Sequence, residues 1–180
     1  MFSSTNIFNQ PLNDWDTLSC VTMGSMFSGS VAFNQPLNNW QVETVTNMSF
    51  MFSGTNVFDQ DISNWNVSQV TTMRGMFRSA VLFDQALASW DVNSVVNMES
   101  MFENAQVFNQ PIGGWDVSAV ATMASMFENA QLFDQPLMAW DTSSVTDMSS
   151  MFENAQVFNQ TINDWDVVNV TNFASMFESA

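Results

Sequence analysis

The sequence contains no histidine, no tyrosine and no lysine, and these absences limit the chemistry that the chain can perform. Nucleophilic triads need a general base, which is usually histidine. Acid–base chemistry could use only carboxylates, and the pair Asp14/Asp16 recurs as Asp164/Asp166. A glycosidase uses one unequal pair of carboxylates in a cleft, whereas this chain offers a row of similar positions. The sequence therefore predicts that the protein is not an enzyme and has no cofactor.

Basic side chains are almost as scarce. Arg74 and Arg78 stand against 18 acidic residues, and the formal net charge is −16. Binding to phosphate depends on lysine and arginine, so we expect no nucleic-acid partner and little affinity for anionic membrane surfaces. The acidic charge favours solubility and could also attract cations or basic partners. For the two arginines, relief of local charge is favoured over a specific contact with an anion or a partner.

The chain has one cysteine, Cys20, which excludes an intramolecular disulfide. Later repeats carry valine at the same position, so we expect Cys20 to act as a small core hydrophobe. No run of residues is apolar and long enough to span a membrane, and no signal peptide is recognisable within the chain. The sequence begins and ends inside the same element, MFSST and MFESA. We therefore expect a fragment of a longer array, without its capping repeats.

What the sequence does contain is a pattern that returns every 25 residues without an insertion or deletion. Each copy has a Met-Phe pair, a second phenylalanine, a glutamine and a tryptophan. The tryptophans are Trp15, Trp40, Trp65, Trp90, Trp115, Trp140 and Trp165. A fixed period of this size is typical of stacked repeat architectures. The pattern predicts a single domain over residues 1–180, made of about seven turns that each contact their neighbours.

The predicted fold class is an α/β repeat solenoid with one short parallel strand and one short helix per turn. In the turn that starts at Met51, Phe58 and Ile62 lie on one side of an alternating segment, which predicts a strand. Gly54 precedes it, at a position where glycine or asparagine favours a left-handed corner.

The helix is predicted in the second half of the same turn. Val70, Met73, Met76 and Phe77 have the spacing of an apolar helical stripe, and Ser68 offers an N-cap oxygen upstream. Parallel stacking would place tryptophan over tryptophan and phenylalanine over phenylalanine. The repeated glutamine could form a structural amide column between turns or a binding stripe.

The residue after each tryptophan is usually aspartate, and a column of carboxylates is a candidate calcium site. The candidates are Asp16, Asp91, Asp116, Asp141 and Asp166. Their spacing matches neither an EF-hand nor the nonapeptide calcium repeat. Aspartate at such positions can equally accept backbone N–H groups at a bend. Both interpretations stay open at this point.

The two residues before each tryptophan, here called the outer pairs, vary from turn to turn and are the predicted interaction surface. They are Asn13–Asp14, Asn38–Asn39, Ser63–Asn64, Ala88–Ser89, Gly113–Gly114, Met138–Ala139 and Asn163–Asp164. Variation of this kind favours a non-enzymatic scaffold that binds a protein or glycan through an extended face. The alternative is a structural filament or coat component that self-associates end to end, stabilised by cations on stacked Asp/Asn columns.

The whole chain resembles the BspA-like leucine-rich-repeat surface proteins, in the 25-residue variant found in mycoplasma-type lipoproteins. The matching motifs are Met-Phe, Phe-Asn/Asp-Gln, Trp-Asp and Val-Thr-Asn-Met, with departures at Gln41, Asn66, Cys20 and Phe173. The resemblance implies a leucine-rich-repeat-like right-handed solenoid. It also implies a cell-surface or secreted location and a role in adhesion, and it carries no catalytic residues across.

Overall fold

The protein is a stack of 25-residue coils, described by a computed structural model over residues 2–180. Coil 1 ends at residue 25, coils 2 to 7 follow at intervals of 25 residues up to residue 175, and residues 176–180 start the next one. Equivalent residues of neighbouring coils lie next to each other, as the backbone bridge between Thr72 and Asn97 shows. The repeat and the stacking that the sequence predicts are confirmed.

Tight turns, rather than regular secondary structure, shape each coil. In coil 3 the N–H groups of Thr55, Trp65 and Val70 each donate to the carbonyl three residues earlier, at 3.1, 3.1 and 2.9 Å. Bonds between residues i and i+3 are the mark of β-turns. Within residues 2–180 the chain forms no helix, and its strand structure is limited to single-residue bridges.

The bridges form one parallel ladder along the stack. They join Thr22, Asn47, Thr72, Asn97, Thr122, Asp147 and Asn172 in succession. Backbone bonds on either side extend the contact, since Thr71 N–H donates to the Thr46 carbonyl at 2.9 Å and Met73 N–H donates to the Asn97 carbonyl at 3.0 Å. This hydrogen-bonded segment is the part of each coil that the sequence predicts to be helical.

The predicted α/β repeat solenoid, with a strand and a helix in every turn, is therefore wrong, and so is its leucine-rich-repeat character. Gly75 lies inside the predicted helix with φ of 57°, and Ser100 takes φ of 57° at the same place one coil later. A left-handed residue ends an α-helix, because L-residues do not continue in that conformation. The alternating segment from Phe58 to Ile62 is also not a strand in the structure.

One local prediction is confirmed. Gly54 has φ of 69°, and Asn104 adopts φ of 58° at the equivalent corner. The corner is left-handed, although no helix precedes it. Each coil thus contains two left-handed residues, of which the sequence indicates only this one.

The core consists of aromatic and methionine columns along the whole stack. Phe52, Phe58 and Met76 are fully buried, and Trp65 is 3% exposed. Cys20 packs against this core while partly buried, as expected of a small hydrophobe. Each indole from Trp40 onward donates its N–H to a carbonyl of the preceding coil; Trp115 bonds the Leu87 carbonyl at 3.0 Å. Trp40, Trp90 and Trp140 are buried as predicted, whereas Trp15 in the first coil is 42% exposed. Tryptophan stacks on tryptophan at Trp40–Trp65 and at Trp140–Trp165.

Columns of rings run along the stack. The rings of Phe52 and Phe77 are 5.8 Å apart, and those of Trp140 and Trp165 are 6.3 Å apart. These distances between ring centres exceed the roughly 4.8 Å at which bridged strands usually lie. The outer pairs lie beside the tryptophans.

Candidate interaction surface

The repeated glutamines are part of a polar ladder that holds the coils together. In this ladder, the residue after the second phenylalanine of one coil accepts hydrogen bonds from the backbone and the glutamine of the next coil. In coil 2, Asn34 Oδ1 accepts the backbone N–H of Asp59 at 3.0 Å and the side-chain amide of Gln60 at 2.9 Å. The same arrangement recurs at Asn109, which accepts from Asp134 and Gln135. These bonds support the structural interpretation of the glutamine column over the binding stripe.

The carboxylates after the tryptophans close small local turns. Asp116 Oδ1 accepts the N–H of Ser118 at 3.1 Å and its hydroxyl at 2.6 Å. Asp141 accepts the N–H of Ser143 at 3.0 Å. Hydrogen bonds from the side chains of Ser118 and Ser143, and then from their backbone N–H groups, lower the pKa of Asp116 and Asp141 below the ordinary value of 3.8, because they favour the ionised form. Burial, and after it the negative charge of Asp141, opposes this change at Asp116 by raising its pKa.

We expect the Ser118→Ala substitution to raise the pKa of Asp116 towards its ordinary value. The largest cause of the lowered pKa is the bond from the Ser118 side chain, and alanine removes that donor. Because the pKa of Asp116 is lower in the folded protein than in the unfolded chain, its carboxylate stabilises the fold at pH values above the unfolded pKa. This contribution is lost as the pH falls through the folded pKa. Carboxyl-detected NMR titration measures the change. Ser143→Ala is the control, because its direct effect falls on Asp141. An unchanged Asp116 pKa in Ser118→Ala would contradict the assignment.

The calcium candidates share exposed positions but form no recognisable metal centre in the described chain. Asp16, Asp91, Asp116, Asp141 and Asp166 are all exposed. Within residues 2–180, no three His, Cys, Asp or Glu side chains come together so that they could hold a metal ion. Calcium binding stays an untested alternative to the backbone-turn interpretation.

We expect the melting temperature in millimolar calcium to equal the melting temperature in magnesium at the same ionic strength. In the structure the carboxylates of Asp116 and Asp141 already accept hydrogen bonds from nearby serines. A calcium ion would instead need six to eight oxygen ligands around it. Circular dichroism melts in the two salts measure the difference. A calcium-specific rise in the melting temperature would overturn this expectation and favour the cation-stabilised array.

The two arginines neutralise glutamates of the next coil. Arg74 pairs with Glu99 at 2.8 Å, and Arg78 pairs with Glu103 at 2.9 Å. Arg74 also lies over the ring of Phe50, 5.4 Å from its centroid. The predicted relief of local charge is therefore realised between coils, on a segment that is not a helix.

The outer pairs lie on the surface, as the sequence analysis expects of an interaction face. All are exposed except Asn13, Ser63 and Gly113, which are partly exposed. In coils 4 to 6 they border a shallow depression of about 450 Å³. Its lining residues are Ala88, Pro111, Gly113, Gly114, Pro136, Met138 and Ala139. The structure thus brings the pairs Gly113–Gly114 and Met138–Ala139 together with Ala88 into one apolar patch, whereas the remaining outer-pair residues are polar.

Besides this depression, the surface carries an exposed apolar column that was not predicted from the sequence. It precedes the second phenylalanine of each coil and includes Val57, Leu82, Leu132 and Val157, which are 37–51% exposed. The available signal was an aliphatic residue at this position in every repeat. Val57 lies in the turn that the Phe58 N–H closes on the Thr55 carbonyl at 3.1 Å. Its side chain stays at the surface, while that of Phe58 is buried.

Comparison with known proteins gives one kind of match. A family model described as mycoplasma protein of unknown function, DUF285, matches the chain twice, over residues 1–89 and 75–180. No curated protein and no solved structure matches the chain. In the described residues no helix is long and apolar enough to cross a membrane. The matches agree with a repeat protein, and the BspA-like relationship stays a prediction.

Proposed function

The chain belongs to DUF285, a mycoplasma repeat-type family of unknown function, and from this premise we propose that it is a non-enzymatic scaffold that binds a protein or glycan through its outer pairs. One observation carries the proposal: the recurring phenylalanines and tryptophans form the core, whereas the variable outer pairs lie on the surface. Trp90 is 3% exposed, while Ala88 and Ser89 immediately before it are exposed. The repeat can therefore keep its core while its surface changes from coil to coil.

The chemistry of the side chains supports a binding role over a catalytic one. The chain has no histidine, lysine or tyrosine to act as a base. The carboxylates beside the outer pairs form a row of similar local turns, as at Asp116 and Asp141, rather than one unequal pair. Stacked repeats also provide the extended surfaces that repeat proteins use for binding.

The proposed location is the cell surface or the medium outside the cell, and it rests on the resemblance to BspA-like proteins. Antibody labelling of intact and permeabilised cells that produce the protein tests this. Equal labelling before and after permeabilisation is expected. Labelling only after permeabilisation would contradict the location without affecting the binding role.

The binding role is tested by probing an array of extracellular proteins and glycans with the immobilised chain. We expect at least one specific ligand. We expect its binding to weaken when every outer-pair residue except Gly113 is changed to asparagine, the residue that coil 2 already carries at Asn38 and Asn39. The matched control is Glu128→Gln/Glu153→Gln, which changes a different column. A folded chain that binds no array member, or binds equally well without its outer pairs, would overturn the proposal. Binding to itself alone would favour the filament or coat alternative.

A further inference from the structure

The outer pairs are not equally polar along the stack, and their apolar part is confined to coils 4 to 6. Coils 1, 2 and 7 place asparagine at the first position of the pair, and coil 3 places serine there. Coils 4 to 6 place Ala88, Gly113 and Met138 at the same position, and Met138 is 49% exposed. A polar column therefore changes over three consecutive coils into an apolar depression, with Pro111 and Pro136 along its edge.

The fold does not require the glycine that opens the middle of this depression. A Cβ atom added to Gly114 would meet no atom within 4 Å, and its φ is not in the left-handed region. Gly113 is different, because its Cβ would lie 2.2 Å from the Pro136 carbonyl oxygen. Gly113 thus satisfies a packing constraint, whereas Gly114 leaves open space that a side chain could fill. The open space at Gly114 is available to a partner.

A row of carboxylates accompanies the apolar depression. The aspartate row, defined as Asp91, Asp116, Asp141 and Asp166, occupies coils 4 to 7, while coils 2 and 3 carry uncharged Gln41 and Asn66 instead. All four aspartates are exposed. Each is separated from its outer pair only by the buried tryptophan, so charge and apolar surface run in parallel. A partner that matches both must carry apolar and basic groups side by side.

The spacing of the tryptophan rings beside this surface is close to the side-chain repeat of an extended peptide. In a β-strand the rise is about 3.3 Å per residue, so alternate side chains recur about every 6.6 Å on the same side. The rings of Trp140 and Trp165, which lie next to the row, are 6.3 Å apart. A strand that lies edge-on over the tryptophan positions would point one side-chain series at the aspartate row and the other at the depression. Within each series, successive side chains would contact successive coils.

We propose that the depression and the aspartate row form one docking site for an extended segment of a partner protein in which basic and apolar residues alternate. The proposal rests on the binding role above and assigns it a place and a partner chemistry. The basic series contacts Asp91, Asp116, Asp141 and Asp166, and the apolar series covers Gly114 and Met138. The net charge of −16 assists the approach of such a segment.

The same surface is poorly suited to a glycan. Aromatic side chains present large flat surfaces with a polar edge, which suit the mixed polar and apolar faces of a sugar ring. The nearby Trp115 and Trp140 are 3% and 2% exposed and offer no such face. The lining of the depression has methyl, methylene and thioether groups and few hydrogen-bonding side chains. Peptide side chains supply the matching apolar groups.

The test uses the whole 180-residue chain and a labelled peptide of about nine residues, long enough to pass four coils in an extended form. Its sequence alternates lysine and valine, and fluorescence anisotropy measures its dissociation constant. An alternating lysine–serine peptide reports the basic series alone, and an alternating serine–valine peptide, which carries no side-chain charge, reports the apolar series alone. We expect the lysine–valine peptide to bind at least about tenfold more tightly than either.

Two variants separate the site from the total charge. Gly114→Asn/Met138→Asn makes the patch resemble coil 2, and Asp116→Asn/Asp141→Asn removes charge while keeping the acceptor that Asn66 supplies in coil 3. Each is expected to weaken binding about tenfold, whereas Glu128→Gln/Glu153→Gln, with the same loss of charge, is expected to change it less than about twofold.

The docking site is overturned if all three variants weaken binding equally. It is also overturned if the lysine–serine peptide binds as tightly as the lysine–valine peptide, because the peptides would then be attracted by net charge alone. Loss of an array glycan in Gly114→Asn/Met138→Asn, with no peptide binding, would overturn the peptide assignment and leave the binding scaffold intact. A chain that binds neither the peptides nor any array member would fail both.

Discussion

Replacing Phe102 with alanine is expected to lower the free energy of unfolding by about 3–5 kcal/mol, the usual cost of truncating a buried phenylalanine. Phe102 is fully buried and lies in the middle of the stack. Its ring is 4.0 Å from that of Phe108 in the same coil, and 5.7 and 5.8 Å from those of Phe77 and Phe127 in the neighbouring coils. Alanine would leave a cavity that three coils border.

Urea unfolding followed by tryptophan fluorescence and circular dichroism measures this effect, and agreement between the two probes shows whether the array unfolds as one unit. Leu132→Ala is the control, because Leu132 is also apolar but 51% exposed. We expect its effect to stay within about 0.5 kcal/mol. Similar losses in the two variants would contradict the core described above.

Replacing Asn109 with alanine is expected to cost about 1–3 kcal/mol, because it removes an acceptor from a partly buried donor. Asn109 Oδ1 accepts the backbone N–H of Asp134 at 3.0 Å and the amide of Gln135 at 2.9 Å. Alanine leaves the first of these donors without its partner between two coils. The loss is measured by the same urea unfolding.

The matched control for this substitution is Asn109→Asp. Aspartate occupies the equivalent place at Asp59, where it accepts from the next coil in the same way. We therefore expect the aspartate variant to keep nearly all of the stability that alanine loses. If aspartate and alanine are equally destabilising, the ladder does not contribute to stability through its side-chain acceptor.

The columns of the structure could be predicted from the sequence, because a strict repeat forces equivalent residues to stack. The burial of Trp90 and the exposure of the outer pair before it both follow from the period and from hydrophobicity. The left-handed corner at Gly54 was also recognisable, because glycine or asparagine occupies that place in five of the seven coils. The predicted interaction face became a specific patch only when Ala88, Gly113 and Met138 were found to line one depression.

The helix could not be excluded from the sequence, for a geometric reason. A turn closed by a bond from residue i+3 to residue i brings residues three apart to the same side, as a helix does. Val70, Met73 and Met76 therefore have helical spacing although Met76 N–H donates to the Met73 carbonyl in a single turn. The second left-handed position is mostly serine, as at Ser100, and serine is a weaker signal than glycine.

The ring spacing beside the outer pairs bears on how far the proposed extended segment could stay in step with the coils. The rings of Trp140 and Trp165 are 6.3 Å apart, whereas alternate residues of an extended strand recur about every 6.6 Å on one side. The mismatch is about 0.3 Å per coil, so a strand would drift from the ring column by only about 1 Å over four coils.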